Sequence, residues 1–231
     1  MRLSRSKIEL FQRCPRCFWL TVNAKIRQPS GPPFSLNIAV DHLFKNEFDA
    51  YRGGSIVPPR LAAAGIQCIP AAHPDLQKWR HNFTGVSAQH EPTGYELFGA
   101  IDDLWVDSEG VHYVVDYKAT SKKSEVSLDA DWQISYKRQA EFYQWLLRRN
   151  GLPISDRAWF VYTNGIADDA PFDDVLRFRT RLIPYDGDDS WVEPALESVS
   201  RCLSLSAAPQ SGSDCEQCQY VDKVMQAVSP V

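Results

Sequence analysis

The sequence lacks any apolar run that approaches the roughly 20 residues needed to span a bilayer, although 44% of its 231 residues are hydrophobic. Its first residues are basic but contain neither an apolar core nor a small-residue cleavage site, which argues against a secretory signal. No internal repeat, low-complexity tract or helicase motif is visible. We therefore expect a cytoplasmic protein that does not associate with membranes and that leaves any duplex unwinding to another chain.

An overall excess of positive charge is also missing. The 25 Lys and Arg residues are outnumbered by 29 Asp and Glu residues, so the net charge is −4. This balance argues against a protein that coats nucleic acid without specificity. The first 27 residues nevertheless contain seven basic residues and one acid, Glu9. A local basic surface of this kind fits a channel for an anionic substrate.

Four of the six cysteines form two C-x-x-C pairs. The pairs are Cys14 with Cys17, and Cys215 with Cys218. In a reducing compartment such pairs indicate metal ligands rather than disulfides, and four thiolates suit structural zinc or an iron–sulfur cluster. A shared metal would join the N-terminal and C-terminal segments of the chain. The other cysteines, Cys68 and Cys202, are predicted to be small buried side chains.

Hydrophobic periodicity predicts an α/β protein with a mixed central sheet flanked by helices, forming one domain over residues 1–231. The predicted helices that matter below cover residues 6–20, 36–52 and 134–150. Residues 95–106 and 111–119 are predicted to pair as a strand meander. Four tryptophans could stack on unpaired bases, but most have spacings typical of core positions, so we assign them to the core. They are Trp132, Trp145, Trp159 and Trp191.

Three charged side chains are predicted to meet in the strand region. Asp102 ends the segment Gly-Ala-Ile-Asp, and Asp116 and Lys118 lie in Val-Val-Asp-Tyr-Lys one hairpin later. Residues two apart on a strand point to the same face, so Asp116 and Lys118 project side by side. Two carboxylates and one ammonium at one point suit a divalent cation and an anionic substrate, which indicates phosphodiester hydrolysis. The alternative is an ion pair on the surface of adjacent strands.

The helix that follows carries an amide and a phenol on one face. Gln139 and Tyr143 are four residues apart, so they are neighbours on the helix surface. Side chains of these types can bind a nucleic acid backbone or a terminal nucleotide. Taken alone, such a pair is usually just an exposed polar face.

The order Gly-x-Ile-Asp, Asp-x-Lys and Gln-x-x-x-Tyr resembles the PD-(D/E)XK nuclease superfamily, in its RecB-like branch. Cys-Pro-Arg at residues 14–16 and Cys-x-x-Cys-x-Tyr at residues 215–220 are similar to the CRISPR-associated and AddB-type members of that branch. The resemblance implies a restriction-endonuclease-like fold and a Mg²⁺- or Mn²⁺-dependent deoxyribonuclease. It further implies exonucleolytic or end-processing activity on single-stranded DNA, and a helicase, DNA-repair or CRISPR protein as partner.

The resemblance also implies roles for individual residues. Asp102 and Asp116 would hold the catalytic cation, Lys118 would assist the attacking water, and Gln139 and Tyr143 would bind the DNA strand. A further cation ligand, usually His after Gly-x-x-x, is implied on an upstream helix. The sequence has Asp41 and His42 there and lacks the glycine. Because the ligand of the family follows an aliphatic residue, we favour Asp41, after Val40, with His42 as the alternative.

For the cysteines, the resemblance favours an iron–sulfur cluster over zinc. The iron–sulfur relatives place one cysteine before the nuclease core and three after it, whereas this chain has two and two. Cys202 is an alternative third C-terminal ligand, although Cys17 is the simpler fourth. Two other functions remain open from the sequence. One is a catalytically inactive nuclease fold that binds nucleic acid or serves in assembly, and the other is a cysteine–metal redox module.

Overall fold

The computed structural model describes residues 1–29, 31–32, 34–167 and 171–228. The chain forms two compact units. The first contains the described parts of Met1–Pro32, Gln89–Leu97 and Ser190–Val231, and the second those of Pro33–Ala88 and Phe98–Asp189. That residues 1–231 form one nuclease-like domain stays a prediction. In the described part of the chain, every helix is too short or too polar to cross a membrane.

The strands and helices follow one another along the chain in this order. They are β1 (Arg2–Ser4), α1 (Arg5–Arg13), α2 (Pro15–Val22), α3 (Ser35–Asp49), α4 (Pro59–Ala63), β2 (Ile69–Pro70), α5 (Leu76–Trp79), β3 (Val86–His90), β4 (Tyr95–Gly99), β5 (Asp103–Val106), β6 (His112–Thr120), α6 (Ile134–Arg149), β7 (Arg157–Ile166), β8 (Arg177–Asp186), α7 (Val192–Leu203) and α8 (Glu216–Val228).

The second unit is built on a five-stranded mixed sheet with the order β2-β5-β6-β7-β8. Strands β6 and β7 are parallel and are connected through α6, as a parallel pair requires. The remaining neighbours are antiparallel. A three-stranded sheet has the order β1-β4-β3, and the chain passes between the units within β3 and again within β4. The predicted α/β class with a mixed sheet flanked by helices is confirmed.

The predicted meander over residues 95–106 and 111–119 is wrong in its first half. Residues 95–99 and 103–106 are separate strands in different sheets, and only the second pairs with β6. The chain turns between them because the buried Ile101 donates its N–H to Trp79 O at 3.1 Å instead of to a strand. Gly85, at φ +60°, allows the close approach here, since a Cβ on it would lie 2.5 Å from Gly99 O. Asp102 therefore lies in a bend before β5.

The predicted helix over residues 6–20 is two helices, broken at Cys14. Pro15 has no N–H to donate and disfavours helical geometry in the residue before it, and Cys14 is extended at φ −160°. Cys14 consequently becomes the N-cap of α2. In the first unit α1 and α2 pack against α7, which buries Val192, Leu196 and Val199 along one side. Helix α8 was not predicted from the sequence.

One face of β6 belongs to the core of the second unit. Phe48 of α3 stacks on Tyr117 with ring centroids 5.8 Å apart and packs on Trp105 at 5.2 Å. Val115 and Val161 are fully buried in the same cluster. Since side chains alternate along a strand, burying Val115 and Tyr117 toward α3 directs Asp116 and Lys118 to the other face.

Candidate functional site

The ammonium of Lys118 is the centre of the predicted site. It forms an ion pair with Asp116 Oδ2 on the same face of β6. Its Nζ lies 3.4 Å from Gln139 Oε1 and 4.5 Å from the centroid of the Tyr136 ring, both on α6. The carboxylate, the amide and the aromatic ring hold the ammonium in one position.

Asp102 is held beside this pair by the backbone of β6. Its Oδ2 accepts a 2.9 Å hydrogen bond from the N–H of Tyr117, the residue between Asp116 and Lys118. Burial of Asp102 and the nearby negative charge of Asp116 raise the pKa of Asp102 to about 7. Desolvation and the neighbouring Asp116 carboxylate both disfavour the charged form of Asp102. A cation bound to the two carboxylates would offset both effects.

The oxygen atoms of these two carboxylates fit a hard divalent cation. Asp116 is buried, and among the described residues its Oδ1 has no hydrogen-bond donor. A buried acceptor without a donor is costly unless it serves another ligand. Mg²⁺ and Mn²⁺ prefer carboxylate oxygens and commonly use one or two of them together with water and substrate phosphate. Asp102 and Asp116 are thus a suitable pair.

Asp41 and His42 are adjacent on α3 but lie in different surroundings. Asp41 lines a cavity of about 210 Å³ together with Lys118 and Tyr136, and His42 is exposed and does not line it. The Asp41 carboxylate accepts a 2.8 Å hydrogen bond from Lys45, one helical turn later. Asp41 does not complete a compact set of three carboxylates. In the described ranges, only the four cysteines bring three or more ligand atoms of His, Cys, Asp or Glu close enough to share an ion.

Gln139 contacts Lys118, and Tyr143 lies behind Gln139. Gln139 Nε2 donates to the Tyr143 hydroxyl at 3.3 Å, and Gln139 Oε1 faces Lys118. Tyr143 is only 4% exposed, so its ring is part of the core rather than of the surface. The predicted pair is therefore brought to the site, with Gln139 in front and Tyr143 supporting it.

Sequence reasoning missed Tyr136 and misplaced Trp132. Tyr136 precedes Gln139 by three residues, so the same helical spacing that selected Gln139 and Tyr143 could have found it. Trp132, assigned to the core, is 60% exposed, whereas Trp145 is buried. The core assignment fails because Trp132 lies on a single turn of 3₁₀ helix before α6, where helical periodicity does not apply.

The two cysteine pairs come together in the first unit. Sulfur–sulfur distances are 3.8 Å for Cys14–Cys218, 3.6 Å for Cys17–Cys215 and 3.4 Å for Cys17–Cys218. All four sulfur atoms lie within 4.8 Å of one another, so they can hold a metal. Cys202 is buried outside this cluster.

Two backbone N–H groups point at the sulfur of Cys14. They belong to Cys17, at 3.5 Å, and to Gly212, at 3.3 Å. Burial alone would raise the pKa of Cys14, but these donors outweigh it and lower the value to about 7. A Cβ on Gly212 would lie 2.6 Å from Arg13 O, so only glycine permits this approach. Burial raises the pKa of Cys218 to about 11.

Comparison with known proteins identifies a family and several solved structures. A family model described as the PD-(D/E)XK nuclease superfamily matches residues 39–222. A solved structure titled "Crystal structure of SSO0001" aligns with 99% of this chain and 85% of that one, at 14% identity and a TM-score of 0.48. This similarity is too low to inform the site. No curated protein matches significantly.

Proposed function

Because the chain belongs to the PD-(D/E)XK nuclease superfamily, we propose that it is a Mg²⁺- or Mn²⁺-dependent deoxyribonuclease. Its preferred substrate is single-stranded DNA or a free DNA end. The observation that carries the proposal is the position of Lys118, between the Asp116 carboxylate and the Gln139 amide and beside Asp102. A RecB-like ancestry, a cytoplasmic location and a helicase, repair or CRISPR partner are parts of the same proposal.

Asp102 and Asp116 would hold the cation, and Asp41, which lines the cavity beside Lys118, would reach it only after the site closes around a substrate. When bound, Mg²⁺ or Mn²⁺ supplies charge to the scissile phosphate and lowers the pKa of a bound water. The free oxygen of Asp116 is available for this role because Lys118 contacts its other oxygen. For Asp102, the Tyr117 N–H fixes the orientation of the carboxylate before any ligand arrives.

Lys118 would act on the substrate directly. Its ammonium has three N–H donors, and Asp116 and Gln139 occupy two directions. The remaining donor can bind a phosphate oxygen or the attacking water and stabilise negative charge that develops during the reaction. Gln139, anchored by Tyr143, orients the ammonium, and Tyr136 shields it on one side.

The test is degradation of a labelled single-stranded oligonucleotide in Mn²⁺ by the full chain. We expect cleavage by the wild type and none by Asp116→Ala. Glu109→Gln, a matched loss of one carboxylate on the exposed β5–β6 turn, should cleave normally. Equal cleavage by Asp116→Ala and the wild type would contradict the proposed site.

The same experiment separates the enzyme from an inactive nuclease fold. The incomplete convergence of Asp41 with the other two carboxylates is the observation that favours the inactive alternative. DNA binding that is insensitive to EDTA, without cleavage in Mg²⁺ or Mn²⁺, would select a binding or assembly module and reject the nuclease.

A further inference from the structure

We propose that Cys14, Cys17, Cys215 and Cys218 hold a single zinc ion rather than the iron–sulfur cluster that the family resemblance implies. The inference concerns the first unit only and does not depend on nuclease activity. It rests on the size of the space between the four sulfur atoms.

The sulfur atoms have the separation that one tetrahedral ion requires. With Zn–S bonds of about 2.3 Å, the sulfur atoms of a tetrahedral site are about 3.8 Å apart. Three of the six separations, 3.4, 3.6 and 3.8 Å, match this value to within a few tenths of an ångström. None of the six exceeds 4.8 Å, so small shifts of the side chains would complete a tetrahedron around one ion.

An iron–sulfur cluster needs more room. Each cysteine of a four-iron cluster binds a different iron, so the irons and their bridging sulfides lie between the thiolates. A two-iron cluster also separates its two cysteine pairs by a core of two irons. All four sulfur atoms here lie within 4.8 Å of one another, including sulfurs from opposite ends of the chain. The residues therefore fit a single ion and do not fit a cluster core.

The local structure around the cysteines agrees with a zinc site. Each pair has the C-x-x-C spacing common in structural zinc sites, and each lies at the start of a helix, α2 or α8. The N–H groups of Cys17 and Gly212 point at Cys14 Sγ, where they stabilise a thiolate. Binding of Zn²⁺ would displace the thiol protons to solvent and join the two helices.

The experiment measures the metal of the full chain, produced with both zinc and iron supplied and purified without oxygen. We expect one zinc per chain, no acid-labile sulfide and no visible colour. Replacement of the zinc by Co²⁺ should give the visible bands of tetrahedral thiolate coordination. A brown protein with several irons and acid-labile sulfide would overturn the proposal, and so would one iron per chain or no metal.

Variants locate the ion. Cys17→Ser and Cys218→Ser should each lower the zinc content and the melting temperature. Cys202→Ser, a matched change of a buried cysteine in the same unit, should keep one zinc. Full zinc retention in both ligand variants would overturn the assignment. If a ligand variant fails to fold, the metal content and the Co²⁺ spectrum of the wild type still decide the question.

A different observation supports a second inference, which rests on the proposed function. We infer that Trp132 stacks on an unpaired base of the substrate next to the cleavage site. Its indole is 60% exposed and packs edge to face on Tyr136, with ring centroids 5.3 Å apart. Tyr136 in turn contacts the Lys118 ammonium. A strand bound at Lys118 would therefore pass within reach of the indole.

Trp132 is displayed on a rigid turn, which reduces the entropy lost on binding. Its neighbour Gln133 is buried, donates to Ser127 O at 2.6 Å and accepts from Ala130 N–H at 3.0 Å. Aromatic stacking of this kind contributes about 1–3 kcal/mol per base and tolerates any sequence. An indole in a duplex-binding site would have no exposed base face to contact.

The test is binding of a fluorescent oligothymidylate, with Ca²⁺ replacing Mn²⁺ to prevent cleavage. Trp132→Ala should weaken binding by about tenfold, and Trp132→Phe should restore most of it. Phe83→Ala, another exposed aromatic in the same unit that does not line the cavity, should bind like the wild type.

The outcomes separate this inference from the proposed function. Equal binding by Trp132→Ala and the wild type, with cleavage by the wild type in Mn²⁺, would overturn the stacking role alone. A wild-type chain that neither binds nor cleaves the oligonucleotide would overturn both.

Discussion

The N–H of Tyr117 donates a 2.9 Å hydrogen bond to Asp102 Oδ2. The bond ties a carboxylate from the bend before β5 to the strand that carries Asp116 and Lys118. Because the donor is a backbone group, the position of Asp102 depends on the register of β6 and not on a replaceable side chain. The hydrogen bond therefore fixes the position of Asp102 relative to Asp116 and Lys118 on β6.

Asp102→Asn should abolish cleavage without unfolding the chain. The amide can still accept from the Tyr117 N–H but brings no negative charge to a cation. Substitution of residues that only support the ligands of a metal already lowers metal affinity or activity about 10–100-fold. For a ligand itself we expect the cleavage rate to fall by at least about 100-fold. Cleavage rates in Mn²⁺ and the melting temperature are the measurements. A rate within a few-fold of the wild type would remove Asp102 from the site.

Asp41 and His42 should behave differently despite being adjacent. Asp41 lines the cavity with Lys118, and His42 is exposed. We therefore expect Asp41→Asn to raise the Mn²⁺ concentration needed for half-maximal cleavage, whereas His42→Ala should leave it unchanged. The reverse pattern would make His42 the upstream ligand. Titration of cleavage with Mn²⁺ distinguishes the two.

Tyr143→Phe tests whether the buried phenol positions Gln139. The change removes only the oxygen that accepts from Gln139 Nε2 at 3.3 Å. Gln139 would then hold Lys118 less firmly, and we expect kcat to fall by about fivefold, equivalent to the roughly 1 kcal/mol of one hydrogen bond. KM should stay the same, because Tyr143 is buried and cannot touch the strand. A change in KM with kcat unchanged would indicate direct contact with DNA instead.

The strand alternation around Asp116 could be predicted from sequence because it is a local property. Residues two apart share a face wherever a strand forms, and flanking valines indicate burial. Each C-x-x-C pair could also be recognised locally. That the two pairs meet in space could be predicted because four thiolates suit one metal site, and no pattern in the intervening residues was needed.

Other features depend on contacts that no local pattern contains. The bend that contains Asp102 follows from the hydrogen bond between Ile101 and Trp79, which are 22 positions apart. Gly212 lies in a stretch with no periodic pattern, yet its N–H contacts the sulfur of Cys14, 198 residues earlier in the chain. The exposure of Trp132 likewise depends on where the turn before α6 ends.

Asp103 should be important for stability and not for chemistry. Its carboxylate is fully buried, accepts from Arg52 at 2.8 and 3.0 Å and from the Tyr117 hydroxyl at 2.7 Å, and lies 2.9 Å from Arg80. Removing one partner from a buried ionic group costs about 3–5 kcal/mol, so Asp103→Asn should lower the free energy of unfolding by that amount. Asp186→Asn, which breaks an exposed pair on β8, is the control and should change little. Equal effects in urea unfolding would contradict the prediction.

Asp49 should make the same network sensitive to acid. Partial burial alone would raise the pKa of Asp49, but hydrogen bonds from Arg80 and Arg52 outweigh it and hold the value below the usual 3.8. A carboxyl group with a lowered pKa in the folded state stabilises the protein at pH values above its unfolded pKa, and this contribution is lost as the pH falls through the folded pKa. Wild-type stability should therefore decline more steeply than that of Asp49→Asn below about pH 4. Urea midpoints measured from pH 6 downward test this, and parallel pH profiles for the two proteins would show that the arginines do not hold Asp49 in its charged form.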